Sequence, residues 1–520
     1  MRVRRLKRAF VFGTLLMFPL LAGESDAACN HYISDGTVAL DHSRNAYHSE
    51  LFQPPNQPWV YVAWVWRETS DVSTNHTLSA ARSRDLRHWE DSCGRPKPLP
   101  IRLEDSEVID PIPPNGGVLN NIKIGADQQG RPIVTYQKYT EVGGKRTTQV
   151  FNARLESRGW VIYQMTHWTS EWTLSGGGSL SASAQSIGFS AVNVAPNGQL
   201  YQSFRRAVTD GSAWPASGVY VLDDKDGLAI SNAAYEPQFS PPPRPEAALK
   251  AGARPSGFET EFQVHTLYSR VQARWGGAQN GARQEGATPI DPTKRYFIRW
   301  ESMPTNRDYP YDCLGIAQSN QGRADEVTTT CPDSFIRPLS FWAYNEKANK
   351  WESTVIDDAW GGSTATFDLL TYKDLHIVAY YNRKRQMAVA TRKFGGPWRI
   401  KELESTFRGW DSHNYLTIAV DSNDDIHVSG NEHSAPLQYF RSTGLSVSSL
   451  KRAPMTGMQE THITYPRFFA TPDGRLAFSY RDGASGDGDI WINVYDAPSR
   501  TWRRINSAPL FQGKATAWRR

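Results

Sequence analysis

Apolar and polar residues alternate in short runs along most of the chain. GRPIVTYQKY, GQLYQSFRR, LHIVAYYNRK and GRLAFSYRDG each put apolar side chains on every second position, with a Gly, Asp or Asn nearby. A period of two over four to eight residues is the mark of a half-buried strand. Each run is followed by a polar break, a second alternating run and often a Trp. WVYVAWVWRET leads to HTLSAARSRDLRHWE, GRPIVTYQKY to TTQVFNARLESRGW, and GQLYQSFRR to SGVYVLDDKDG. KRYFIRWES leads to LSFWAYNEKANKW, LHIVAYYNRK to MAVATRKFGGPW, DIHVSGNEH to LQYFRS, and GRLAFSYRDG to IWINVYDAPSRTW. Those seven copies are each too small to bury an apolar face alone, so they must pack on one another. Short antiparallel strands in a repeated unit of about four predict an all-β, seven-bladed β-propeller. It would span residues 28–520 as one domain, closed by strands from both ends of the chain. The stretch 241–293 is rich in Pro, Ala, Gly and Arg and breaks the rhythm. It reads as a long excursion within the third or fourth repeat.

The start of the chain changes the charge picture. MRVRRLKRAFVFGTLLMFPLLAGESDA has five basic residues, a short apolar stretch and small residues near Ala27, the pattern of a secretory signal peptide over residues 1–27. The apolar stretch is too short to span a membrane. SDAAC is a poor lipoprotein box, so a soluble secreted or periplasmic protein is expected. Removing the segment takes away five basic and two acidic residues, and the formal net charge of +5 falls to +2. Nothing then calls for nucleic acid. Export permits disulfides among Cys29, Cys93, Cys313 and Cys331. The close pair Cys313–Cys331 is the first candidate and Cys29–Cys93 a second. No Cys-x-x-Cys spacing occurs, which argues against a cysteine zinc site.

Chemistry enters with WDSHNYLTIAVDSNDDIHVSGNEH, residues 410–433. It reads as strand, turn, strand, with His413 and Asn414 at one end and Asn431 and His433 at the other. A core would place apolar residues there. Equivalent strands of a propeller end at equivalent places, and the first run of each copy ends in a polar group. These groups are Arg67, Gln137 with Lys138, Arg205 with Arg206, Glu301, Asn382, Asn431 with His433, and Arg481. Repeat symmetry would arrange them around one opening, a polar funnel rich in Arg and suited to an anionic ligand. His427 alternates with Ile426 and Val428 and reads as a packed residue, as does His76.

Several longer motifs carry a resemblance. WDSHNYLTIAVDSNDDIHVSGNEHSAPLQYFR, MTGMQETHITYPRFF, GRLAFSYRDGASGDGD, RNAYH, WVWRETSDVSTNHTLSAARSRDLRHWE and WESMPTNRDYP together resemble the BNR-repeat ulvan lyases and related rhamnose–glucuronate lyases. Ser83-Arg84-Asp85…Trp89 resembles a worn Asp-box. The resemblance implies a seven-bladed propeller that cleaves a polysaccharide beside a uronic acid by β-elimination. Relative to that family the order looks circularly permuted: DSHN normally comes early, and the NAY–WRDT–TNHD segment follows YRDG. A ring tolerates such a cut, because the spatial neighbours stay the same.

Carried over position by position, the resemblance implies a catalytic set of His413, His433, Tyr465 and Arg481. Tyr47 and Arg67 match the NAY and WRDT positions, and Gln137 stands where relatives often have His. With Asn414, Asn431 and Arg205 these complete the candidates for substrate binding. The elimination requires no cofactor; the resemblance allows a structural metal ion, for which the sequence offers no clear ligand set. The expected partner is an anionic polysaccharide, and the expected state a monomer.

β-Elimination on a uronic acid needs the carboxylate neutralised, a base for the C5 proton and an acid for the departing O4. Arg, His and Tyr supply all three without a cofactor. Two rival classes share the architecture. A sialidase-like glycoside hydrolase would want a Tyr–Glu pair and a strand-borne acid, for which Glu301 and Glu432 are the nearby carboxylates. A non-catalytic carbohydrate-binding propeller would use the Trp-rich rim.

Overall fold

The computed structural model describes residues 45–176, 187–195, 197–206, 217–225, 227–231, 270–275, 296–302, 336–361, 365–407, 413–484 and 486–513. These residues form seven antiparallel sheets. Helix among the described residues is confined to three single 3₁₀ turns, Val72–Thr74, Leu103–Asp105 and Val447–Ser449. No helix among the described residues is long and apolar enough to cross a membrane.

The seven alternating pairs read from the sequence are neighbouring strands within the seven sheets. Val60–Arg67 pairs with Asn75–Ser83, Pro132–Val142 with Lys145–Glu156, and Leu476–Asp482 with Asp489–Asp496. Each pair gains a strand on its leading side. These leading strands begin with Asn45–His48 in the first sheet and Lys123–Ala126 in the second, and end with Ile463–Ala470 in the seventh. In the fourth sheet the leading strand is Arg270–Trp275, inside the stretch read as an excursion. RVQARW alternates, but six residues within a Pro- and Gly-rich setting gave too short a signal. The rest of 241–293, the signal-peptide segment, and Cys29, Cys313 and Cys331 lie outside the described residues. Cys93 is disulfide-bonded.

Apolar cores lie between sheets rather than within them. Tyr61 and Leu78 of the first sheet share a core with Val134 and Phe151 of the second. Ile133 and Val150 share another with Phe204 and Leu222 of the third. The fourth, fifth and sixth sheets are joined through Ile298, Ile377 and Val428, and the sixth and seventh through Ala419, Tyr439 and Phe478. The last sheet packs on the first: Ile490, Ile492 and Phe511 interleave with Val62, Trp64 and Trp66. Phe511 is 2% exposed, with its ring 4.8 Å from that of Trp64. Hydrogen bonds cross the same seam, from Asn45 Nδ2 to Gly486 O (2.8 Å) and from Ile101 N to Leu510 O (3.0 Å). The first and last sheets therefore meet by face-to-face packing, each built from its own stretch of sequence.

His427 and His76 are packed residues. His427 is fully buried between Tyr439, at 2.7 Å from its Nδ1, and Asp421, at 3.3 Å from its Nε2. His76 is buried against Glu68 and Thr77. The Ser83–Trp89 turn satisfies itself: Ser83 Oγ accepts from Leu86 N, Asp85 Oδ1 accepts from Arg87 N and His88 N, and Trp89 is buried.

Candidate active site

A cavity of about 520 Å³ opens where the leading strands converge. Its wall draws on Asn45–Phe52 of the first sheet, Asn120–Ile124 at the second, Phe189–Asn193 at the third, His413 to Leu416 at the sixth, and Tyr465, Arg467 and Arg481 of the seventh.

The stretch 410–433 builds one side. Leu416–Val420 and Ile426–Gly430 form a hairpin whose turn is held by Asp421 Oδ1, which accepts from Asn423 N and Asp425 N. Pairing Leu416 with Gly430 brings the two outer ends of the hairpin together. Gly430 is required there: at φ +149° a Cβ would stand 2.5 Å from Tyr415 O. The chain then leaves this sheet, and His433–Ala435 pairs with Ile463–Ala470 of the next. His413, half-buried, and His433, exposed, end up stacked with ring centroids 4.3 Å apart.

Tyr465 joins them through a backbone irregularity. Thr464 pairs with Arg481 and Arg467 with Ser479, so two residues on one strand face one on the other. Tyr465 takes the extra place with φ +60°, uncommon for an aromatic residue. A bulge of this kind re-aims a side chain. The Tyr465 ring lies 5.5 Å from that of His413, and the Arg481 guanidinium sits 4.7 Å over the Tyr465 ring. Arg481 Nε donates to Gly483 O at 3.1 Å, and no carboxylate pairs with its guanidinium among the described residues. Its stem is pressed on Gly488, where a Cβ would meet Arg481 Cγ and Cδ at 2.4 Å.

The residues expected to bind substrate divide. Tyr47 lines the cavity and carries the Arg67 guanidinium 4.2 Å over its ring. Arg67 itself is buried behind the wall, bonded to Asn75 Oδ1 (2.6 Å) and Asn120 Oδ1 (3.0 Å). Burial lowers its pKa, opposed by the nearby Tyr47 and Tyr465 hydroxyls. Gln137 is fully buried and takes a 3.4 Å bond from Asn121 Nδ2, leaving Asn121 Oδ1 and Gln137 Nε2 without partners. Asn414 is buried beside the cavity, with its carbonyl accepting from Tyr381 Oη. Asn431 Nδ2 donates to Ser405 Oγ at 2.8 Å and does not line the wall. The side chains of Arg205 and Glu301 lie outside the described residues.

The expected ring of funnel cations is therefore corrected to a smaller set. Arg206 is buried against Trp168, and Asn382 caps its own turn by accepting from Lys384 N and Gln386 N. Strand-end polar groups often satisfy local backbone in this way. The lining residues not singled out from the sequence include His48, Arg467 and Glu50. Arg467 and Glu50 form an ion pair across the seam between the seventh and first sheets. Burial lowers the Arg467 pKa to about 9. His48 Nδ1 lies 2.6 Å from Ser49 O, and its pKa falls to about 4 through burial and the Arg467 and Arg481 charges. His48 closes the RNAYH motif, and Arg467 stands two positions after Tyr465 in TYPRF, which is the signal the sequence carries for each.

Glu432, weighed as a catalytic acid, is fully buried and turned away into the 432–438 loop. Its Oε1 accepts from Ser429 Oγ (3.1 Å) and Gln438 N (2.5 Å), and burial pushes its pKa well up. Among the described residues no group of three or more His, Cys, Asp or Glu side chains is placed to hold a metal.

Comparison with known proteins adds a family. The profile described as "BNR repeat-containing family member" matches residues 19–168 and 376–519, more than half of the chain. No curated protein matches. Among solved structures, polysaccharide lyase Uly1 is 19% identical over 31% of this chain and 44% of its own, with a TM-score of 0.24. The α-L-arabinanase of Penicillium chrysogenum is 11% identical over 75% of this chain and 81% of its own (TM-score 0.28). AofleA of Arthrobotrys oligospora is 6% identical over 89% and 87% (TM-score 0.32). The match thus spans less than half the length of the Uly1 chain.

Proposed function

Because this chain belongs to the BNR repeat-containing family, we propose that it is an exported polysaccharide lyase on a closed seven-bladed propeller, cleaving beside a uronic acid by β-elimination. Seven sheets, with cores shared across every seam among the described residues except that between the third and the fourth, and the last packed on the first, support the architecture. The observation that carries the function is the run His433–His413–Tyr465–Arg481, in which each side chain contacts the next and three line one cavity.

Arg481 has the property the reaction needs first. Its guanidinium is held by Gly483 and Gly488 and has no carboxylate partner among the described residues, so the uronate carboxylate takes that place. Neutralising the carboxylate lets charge develop at C5. Tyr465 and the stacked imidazoles stand beside that guanidinium. They are the groups that take the C5 proton and return one to O4. The C5–H bond breaks, the C4–C5 double bond forms and the C4–O4 bond breaks, with no oxidant or water consumed.

The carboxylates favour this reading over a glycoside hydrolase. Most hydrolases need two acids flanking the bond, and a sialidase-like one a Tyr–Glu pair with a further acid. Glu50 is the one acid among the described lining residues, and it is paired with Arg467. The test is ultraviolet absorbance of the conjugated unsaturated uronate during incubation with ulvan, gum arabic, gellan and glycosaminoglycans. Absorbance rises for a lyase; a hydrolase releases reducing ends without it, and a binding protein yields neither.

A further inference from the structure

His48 stands in the cavity wall with a tautomer that its surroundings dictate. Its Nδ1 lies 2.6 Å from Ser49 O. A carbonyl oxygen only accepts, so Nδ1 carries the hydrogen and donates it. In the neutral ring Nε2 is then left as a bare lone pair. The described residues offer Nε2 no partner, and the ring lines the cavity. The imidazole is fixed in place by Phe511, stacked at 6.1 Å and 27°. Phe511 is itself buried against Trp64 and Trp66.

The charges facing His48 come from the seventh sheet. Burial first, then the Arg467 and Arg481 guanidiniums, hold its pKa at about 4 against the opposing Ser49 bond. Glu50 answers Arg467 from the other side. His48 is therefore neutral at pH 7, and it presents an acceptor in the wall that Arg467 and Arg481 also line.

We propose that His48 Nε2 is a substrate-binding acceptor that takes a hydrogen bond from a free ring hydroxyl of the same uronosyl unit whose carboxylate meets Arg481. This rests on the uronate reading above and narrows its substrate class. The Arg481 guanidinium takes an anion, whereas the bare nitrogen lone pair of His48 in the same wall takes a donor and disfavours a second anion. The fitting sugar carries its charge as the carboxylate alone and keeps the neighbouring hydroxyl unsubstituted. A sulfate ester, acetyl or methyl group on that hydroxyl removes the donor and sets oxygen lone pairs against Nε2. A buried acceptor without a donor is the costly case in recognition.

Two amide variants separate the ring's two edges. His48→Gln places an amide oxygen near the Nε2 position. His48→Asn keeps a donor near Nδ1 for Ser49 O and removes the acceptor. Calorimetric binding of sodium D-glucuronate should weaken about tenfold in His48→Asn and stay within about threefold of the parent in His48→Gln. In the histidine-labelled parent, the His48 Nε2 nitrogen signal should read as unprotonated at pH 7 and shift on adding glucuronate but not glucose. That measurement decides even if both variants misfold. An Nε2 that is protonated, or unmoved by glucuronate, overturns the proposal, as does a folded His48→Asn that binds like the parent. The absorbance assay is read separately. If absorbance rises while His48 is silent, elimination stands and this proposal falls. If glucuronate moves His48 but no uronate polymer raises absorbance, the acceptor stands and elimination falls.

Discussion

The rings of His413 and His433 stack 4.3 Å apart and 20° from parallel, although a whole hairpin separates them in sequence. The contact forms at the mouth of the cavity, where His433 is exposed and His413 only half-buried. Side chains so placed contribute little packing. His413→Ala and His433→Ala should each lower turnover by about 10²–10⁴. Stability should change by about 0.5 kcal/mol or less, as for other exposed positions. Turnover and melting measured on the same preparations check both halves.

Arg481→Ala should lower kcat by about 10²–10³, the cost of losing one charge-stabilising contact. Arg481→Lys should recover little, because a point charge does not reproduce the planar fork. Kinetics on a uronate polymer check this, and near-normal turnover in a folded Arg481→Ala protein would place the neutralising group elsewhere.

Gly488→Ala tests the same guanidinium without touching it. The new methyl would stand 2.4 Å from Arg481 Cγ and Cδ, so the arginine stem must move. A displacement of about 1 Å from a productive geometry costs on the order of 10² in rate. The expected result is a folded protein with kcat reduced by roughly that factor, and Gly488→Ser should behave likewise.

Acid should weaken the fold through its buried imidazoles. His376 is enclosed by Tyr296, Phe341 and Phe394, and burial, with the Arg392 charge, lowers its pKa to about 4. The unfolded chain binds this proton near the ordinary value of ~6.5. Between those values the unfolded state holds more protons than the native one, so stability is lost as pH falls. Each such group contributes a slope of about 1.4 kcal/mol per pH unit across that window. Melting temperature followed from pH 7 to pH 4 should fall, and His376→Phe should flatten part of the slope.

Phe511→Ala should cost about 3–5 kcal/mol, the usual range for emptying a buried aromatic site. The ring supports Trp64, Trp66 and the back of His48 at once. Denaturant unfolding checks the stability. Activity should fall more than the folded fraction does, since His48 loses its backing.

The strand pairs were legible because alternation is a local property: each run announces its own buried face. The convergence of His413 and His433 was legible as the two ends of one hairpin. Arg467 and His48 were harder, because their value depends on which sheets touch. Arg467 reads as an ordinary outward polar residue until a bulge at Tyr465 and the Glu50 pairing across the seam are known. The ring of strand-end cations failed for a complementary reason. Repeat symmetry fixes where backbones end, whereas Asn382 caps its own turn, Asn431 bonds Ser405 of the preceding sheet and Arg206 packs on Trp168.

The seam between the first and seventh sheets also sets a schedule. Tyr47 and His48 are made early, and Arg481 and Phe511 nearly last, yet all four meet there. Contacts so far apart in sequence form late and slowly. A ribosome paused anywhere before Arg481 holds a chain with most of its strands and an unfinished cavity wall. The cavity wall is thus complete only once the final sheet has been made and has packed on the first.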